Sequence, residues 1–135
     1  MNTYGRLLRL TTWGESHGSA IGAVLDGFPP RFKVDLEELQ REVLRRAPGY
    51  HHLSTPRKET DEVQILSGLV DGYTTGAPIS FLIANSNVRS KDYDELASLF
   101  RLGHADYTYQ MKYEIREHRG GGRSSARETA SRVVA

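Results

Sequence analysis

Apolar and polar residues alternate with a period of two at several points in the first two-thirds of the chain, which is the signature of half-buried strands. Leu8, Leu10 and Thr12 alternate with Arg9, Thr11 and Trp13, so a strand is expected over 5–13. Residues 20–26, Ala-Ile-Gly-Ala-Val-Leu-Asp, are apolar at nearly every position and predict a buried strand, which Gly27-Phe28-Pro29-Pro30 ends with a turn. Val63, Ile65 and Leu69 alternate with polar partners, as do Ile79, Phe81 and Ile83. A Gly/Thr-rich turn over 71–77 separates these two segments, and they are expected to pair antiparallel.

The period lengthens to that of a helix over 36–46, where Leu36, Leu39, Val43 and Leu44 recur. Asp35 stands where a cap belongs, with Glu38 three residues later. Arg45 and Arg46 complement the carbonyl end, and Pro48-Gly49 stops the helix. A shorter helix is expected over 93–100, with Leu96, Leu99 and Phe100 on one side. Tyr107, Tyr109, Met111 and Tyr113 alternate like a strand yet fit a helix edge equally well. Ser125-x-x-Glu128 reads as a capping box opening a last helix, with Ala126, Ala130, Val133 and Val134 turned inward. That helix carries no stop signal, so the pattern predicts an element that continues past Ala135. Residues 14–18 and 50–60 read as loops.

Composition narrows the class. At 135 residues, 38% apolar and 26% charged, the chain suits one folded domain rather than a disordered segment. A net charge of +1 points away from nucleic acid and acidic membranes as partners. With no Cys, disulfides, thiolate catalysis and Cys-ligated metals are excluded. No apolar run has the length of a signal peptide or membrane span, so a soluble, cytoplasmic protein is expected. The charge is unevenly spread: Arg41, Arg45 and Arg46 close the first helix, and Arg116, Arg119, Arg123 and Arg127 crowd the C-terminal region. Two cationic clusters in a near-neutral chain suggest anions held at specific points.

Three glycines lie at 120–122 between Arg119 and Arg123. Glycine allows positive φ and close approach of backbone to a ligand, and the predicted helix N-terminus that follows favours an anion. Guanidinium groups bind phosphate or carboxylate in bidentate fashion. The plainer alternative is a flexible loop with solvated charges, and an RGG-type nucleic-acid segment needs more repeats than this. Gly14-Glu15-Ser16-His17-Gly18 fits G-x-S-x-G literally, but the strand predicted after it is the wrong context for a hydrolase nucleophile. His17, in this glycine-bounded loop, either offers an imidazole for proton transfer or fills a structural place. His104, beside Gly103 and Asp106, is either an oriented general acid or part of a helix start that Asp106 caps. His51-His52 lacks a third ligand at metal-binding spacing.

Together, GESHG, DGFPP, LRRAPG, STPRKETDEVQILSG, TTGAPI, SKDY, GHADYTYQMKY and RGGGRSSARETASRV stand in the order and spacing of chorismate synthase. The chain resembles the N-terminal part of that family over essentially all of its length. The resemblance implies an α+β fold, an antiparallel sheet packed on helices, as the first part of a β-α-β sandwich whose C-terminal part is absent. It implies a flavoprotein lyase of the shikimate pathway and aromatic amino acid biosynthesis, which eliminates phosphate (1,4-anti) from 5-enolpyruvylshikimate 3-phosphate to give chorismate. Reduced FMN is the implied cofactor, NADP is associated with the family, and a homotetramer is the implied assembly. By motif, His17 and His104 are the implied proton donors. Arg45, Arg46, Arg123 and Arg127 are implied for substrate, and Arg123, Ser124 and Ser125 for cofactor. The chain departs from the family pattern at Ala47 (often Arg), His52 (often Lys or Arg), Leu102 (usually Pro) and Glu114 (usually Gly). The alternative expectation is a non-catalytic remnant that retains an anion-binding site.

Overall fold

The apolar run over 20–26 and the alternation over 79–83 become two neighbouring strands whose inward residues meet: Ile21 faces Ile83, Ala23 faces Phe81 and Leu25 faces Ile79. These belong to a computed structural model in which residues 2–47, 60–86, 97–119 and 121–135 are described, Ser124 by its backbone alone. The strands are β1 (Thr3–Gly5), β2 (Arg9–Gly14), β3 (Ala20–Asp26), β4 (Val63–Ser67), β5 (Leu69–Val70), β6 (Tyr73–Thr74) and β7 (Ile79–Ala84). The helices are α1 (Leu36–Arg46), α2 (Asp106–Tyr113) and α3 (Ala130–Val134). Five strands form an antiparallel sheet in the order β1-β2-β3-β7-β4, and β5 and β6 make a separate hairpin.

α3 packs on both α1 and β3. Val43 of α1 and Ala130 and Val134 of α3 close over Ile21, Ala23, Phe81 and Ile83, with Leu10, Leu39, Val63 and Ile65 at the edges. Phe81, Ile21, Ile83 and Val43 are among the largest fully buried side chains. Each such burial contributes about 1.5–3 kcal/mol. This is the α+β architecture expected, with α1 and α3 on one face of the sheet. On the opposite face Trp13 lies across Gly22, where a Cβ would fall 2.4 Å from the indole and 2.3 Å from the Phe81 carbonyl oxygen. Glycine inside a strand otherwise weakens it, and here the close approach requires it.

Strand β3, helix α1 and the β4–β7 pairing agree with the sequence pattern. Asp35 accepts a hydrogen bond from the Glu38 amide at 2.9 Å, as its position suggested. The strand expected over 5–13 divides in two. Gly5 adopts φ 90 and a tight turn folds β1 back on β2, a break that alternation alone does not reveal. The 71–77 turn is part of the β5–β6 hairpin, so Leu69 leaves β4 at Gly68 (φ 85). The Tyr-rich segment is helical: α2 runs between two left-handed residues, Ala105 (φ 55) and Glu114 (φ 58). The last helix is shorter than expected, since residues 122–124 and 126–129 form 3-10 turns before α3 begins. Ala126 is exposed and Val133 is 41% exposed, while Ala130 and Val134 point inward as expected. Residues 93–96 of the expected short helix and 50–59 of the expected loop, including His51 and His52, lie outside the described residues. Among the described residues no helix is long and apolar enough to cross a membrane.

Candidate functional site

Gly121 and Gly122 both take positive φ, 85 and 52, as a bend with close approach demands. A Cβ on Gly121 would lie 2.9 Å from Cδ2 of His104, and one on Gly122 would lie 2.8 Å from Cβ of Glu117. The backbone of this bend therefore lies directly against the imidazole. It also meets the GESHG loop, where the Ser16 amide donates to the Gly122 carbonyl at 3.3 Å. Arg123 fixes that junction by donating to the carbonyls of Gly14 and Thr12, both at 3.1 Å, to the Thr12 hydroxyl at 2.7 Å and to Asn2 Oδ1 at 3.1 Å. Its remaining partner is Glu128 at 3.3 Å.

Two expectations for this segment change. The bend leads into 3-10 turns and a five-residue α3, so the amide array of a long helix N-terminus is not presented to a ligand. The capping box is also one-sided. Ser125 Oγ accepts from the Arg127 amide at 3.3 Å, but the Glu128 carboxylate turns to Arg123 and to Arg132, the latter at 3.0 Å. Two guanidinium partners hold a carboxylate more strongly than one amide does. Arg119 likewise finds its partner nearby, donating to the two Glu117 carboxylate oxygens at 2.8 and 2.6 Å. The Arg119 side-chain hydrogen bonds, against the cost of burial, bring the Glu117 carboxyl down to about 2. The Ser124 side chain lies outside the described atoms.

The His104 loop is held by charge. Asp106 is 3% exposed and accepts from Arg101 through its amide at 3.0 Å, its Nε at 2.9 Å and its Nη2 at 3.1 Å. Arg116 adds a further bond at 3.0 Å. Hydrogen bonding from Arg101 is the main reason the Asp106 carboxyl sits below the usual carboxylate range. Asp106 therefore neither caps α2 nor pairs with His104, as the sequence suggested; two arginines claim it. The cap position falls to Ala105, which has no side-chain cap bond. Arg116 extends the brace to the Ala97 carbonyl at 2.6 Å and lies over the Phe100 ring. His104 Nδ1 is 3.2 Å from the Leu102 carbonyl oxygen, which can only accept. That contact assigns the proton of the neutral ring to Nδ1 and leaves Nε2 as the acceptor.

A cavity of about 250 Å³ opens where these parts meet, lined by Glu15, His104, Arg116, Glu117, Gly121 and Arg123 among others. His17, 9% exposed, lies buried in the adjoining loop rather than among the lining residues.

A second cluster adjoins the same loop. Arg127, with 5% of its side chain exposed, pairs with the fully buried Asp61 and donates to Asn85 Oδ1 at 3.1 Å. Asn85 in turn donates to the Glu15 and Gly18 carbonyls at 3.0 and 2.8 Å, which ties this cluster to GESHG. Arg46 reaches in from the end of α1. Its Nη2 donates to the Ala126 carbonyl at 2.8 Å, and its Nη1 stands 3.8 Å from Asp61. Burial lowers the Arg46 pKa from its ordinary value; Asp61 opposes that shift and Arg127 adds to it. The structure thus brings Arg46 and Arg127 together. Arg45 points to the outer face of α1, where it pairs with Glu42 at 2.7 Å and is 67% exposed. Sequence reasoning did not single out Asp61, Asn85 or Arg101. Their only sequence signal is position: Asp61 lies within KETDEV and Arg101 lies just before GHAD.

A sequence profile of the family described as chorismate synthase matches residues 8–135. Chorismate synthase of Porphyromonas gingivalis is 65% identical over 135 residues, covering 100% of this chain and 37% of that protein. The Campylobacter fetus subsp. fetus protein of the same name is 62% identical, again over 100% of this chain and 38% of the relative. A crystal structure of chorismate synthase superposes with a TM-score of 0.68 at 37% identity, over 96% of this chain and 31% of that one. The chain spans well under half the length of the curated relatives it matches. With the family profile matching residues 8–135 and these relatives alongside it, the chain belongs to the chorismate synthase family.

Proposed function

We propose that this chain serves the chorismate synthase reaction, the 1,4-anti elimination of phosphate from 5-enolpyruvylshikimate 3-phosphate to give chorismate. The observation that carries the reading is the meeting of the GESHG loop with two motifs from the far, C-terminal end of the sequence. The GESHG backbone bonds to Gly122, and Gly121 lies against the His104 ring beside one cavity.

A departing phosphate gathers negative charge, and preorganised cations near it lower the barrier. Arg46 and Arg127 adjoin the GESHG loop through Asp61 and Asn85, which supports their place in the anion site. Arg123, which locks the triple-glycine bend to β2, supports the same region from within. Arg45, on the outer face of α1 and paired there with Glu42, adds positive charge to the same helix end. His104 holds its transferable proton at Nε2 when charged, because Nδ1–H is engaged by Leu102. His17 supplies the second imidazole from the adjoining loop.

The residues present fit one part of a flavin site. The missing Cβ at Gly121 leaves backbone open against His104, and a cavity of about 250 Å³ is smaller than most ligand pockets, which run from about 300 Å³ upward. This chain therefore supplies one wall, with Arg123, Ser124 and Ser125 as the residues that would hold the cofactor. Reduced FMN, when bound, lends electron density to the elimination without net redox change.

The test is phosphate release from the substrate with reduced FMN under anaerobic conditions. Release that is lost in both His17→Ala and His104→Ala supports the reading. Substrate binding without release supports a second one, an anion-binding remnant.

A further inference from the structure

Among the described residues the Asp61 cluster holds one carboxylate and two guanidinium groups, so there it carries one positive charge more than it neutralises. An internal strut needs a single cation, and Arg127 already fills that role. Arg46 is the surplus. Its Nη1 is buried and faces Asp61 Oδ2 at 3.8 Å, beyond hydrogen-bond distance, and neither atom has a hydrogen-bond partner among the described residues. The side chain as a whole remains 24% exposed. A buried guanidinium N–H left unmade is costly, and an oxyanion is the group that would satisfy both the charge and the donor.

Asp61 itself is held to one conformation. It is a non-glycine residue at φ 46. Its carbonyl accepts from Gln40 Nε2 at 3.0 Å, and Gln40 Oε1 accepts from the Val63 amide at 3.0 Å. Gln40 and Arg46 belong to the same helix, α1, so the carboxylate and the guanidinium it faces are fixed by one rigid element.

We infer that Asp61 is a positioning residue: it holds Arg46 beside Arg127 with a spare positive charge directed to a phosphate or carboxylate of the ligand. The inference rests on the anion-binding role of Arg46 proposed above. A purely electrostatic Asp61 predicts the opposite sign, because removing a carboxylate beside a cation would strengthen anion binding.

The test compares the 135-residue chain with Asp61→Asn. Asn is isosteric and tolerates the left-handed backbone. Inorganic phosphate is the probe, followed by calorimetry and by the Arg46 Nε–Hε NMR signal, with the fold checked by circular dichroism. In the unaltered chain phosphate shifts the Arg46 signal. In Asp61→Asn that signal collapses toward the exchange-averaged position of exposed arginines, and phosphate binds about tenfold more weakly or worse. Should Asp61→Asn not fold, Asp61→Asn with Arg127→Gln removes both charges of the buried pair, and the Arg46 signal should again become mobile. Unchanged or tighter phosphate binding with an unmoved Arg46 signal overturns the inference, as does an unaltered chain whose Arg46 signal ignores phosphate. If phosphate binds as expected but no chorismate forms, the lyase reading fails and the role of Asp61 stands.

Discussion

Glu114 ends α2 in the left-handed region, at φ 58, with its amide donating to the Gln110 carbonyl at 3.0 Å. This is the position where helices favour glycine. An L-residue with a Cβ is disfavoured there by about 1–2 kcal/mol. Glycine returns part of that gain, about 0.5–1 kcal/mol, because it frees the unfolded chain. Glu114→Gly should therefore stabilise the fold by about 0.5–1 kcal/mol. For a chain of this size that raises Tm by about 2–4 °C. Both Glu114→Gly and Glu114→Ala also remove a negative charge from the helix C-terminus, worth about 0.3–1 kcal/mol, which adds to the backbone gain in the glycine variant. Glu114→Ala removes the charge and keeps the Cβ, so it separates the two causes. Thermal and urea unfolding of both variants, read by far-UV circular dichroism, should place Ala between the unaltered chain and Gly. If Ala matches Gly, backbone conformation is not the cause. If Gly falls below the unaltered chain, the left-handed assignment at Glu114 is wrong.

Gly22→Ala should destabilise the fold by about 1–3 kcal/mol in urea unfolding, because the new methyl meets the Phe81 carbonyl and the Trp13 ring, which must shift together. Gly121→Ala combines a positive φ with a contact to His104, and should cost about 1–2 kcal/mol and move the His104 ring signals in NMR while the sheet amides stay in place. Glu117, with a carboxyl lowered from 4.5 to about 2, stabilises the fold fully above pH 4.5, and that contribution is lost as the pH falls through about 2. Glu117→Gln should therefore flatten the urea midpoint over this acid range, and an equal slope in both proteins would show that the Arg119 contact does not form in solution.

What the sequence determined was local. Strand β3 is legible because apolar residues run through it, and α1 is legible because its period, its Asp35 cap and its terminal arginines all lie within a dozen residues of one another. The family, too, was legible, since its motifs are contiguous strings. The Glu114 departure was visible as a missing glycine, but its meaning required the backbone angle.

What only the tertiary structure decided was the pairing of charges. Glu128 had the spacing of a capping partner for Ser125, and Asp106 stood beside His104, yet each carboxylate went to guanidinium groups instead. Arg123 reaches a strand 109 residues away in sequence, and Arg127 reaches Asp61 across 66. A long charged side chain chooses the partner that desolvates with it, and that choice depends on distances the folded sheet and helices create. For the same reason the arginine clusters could be counted in the sequence, but which of them carries spare charge could not.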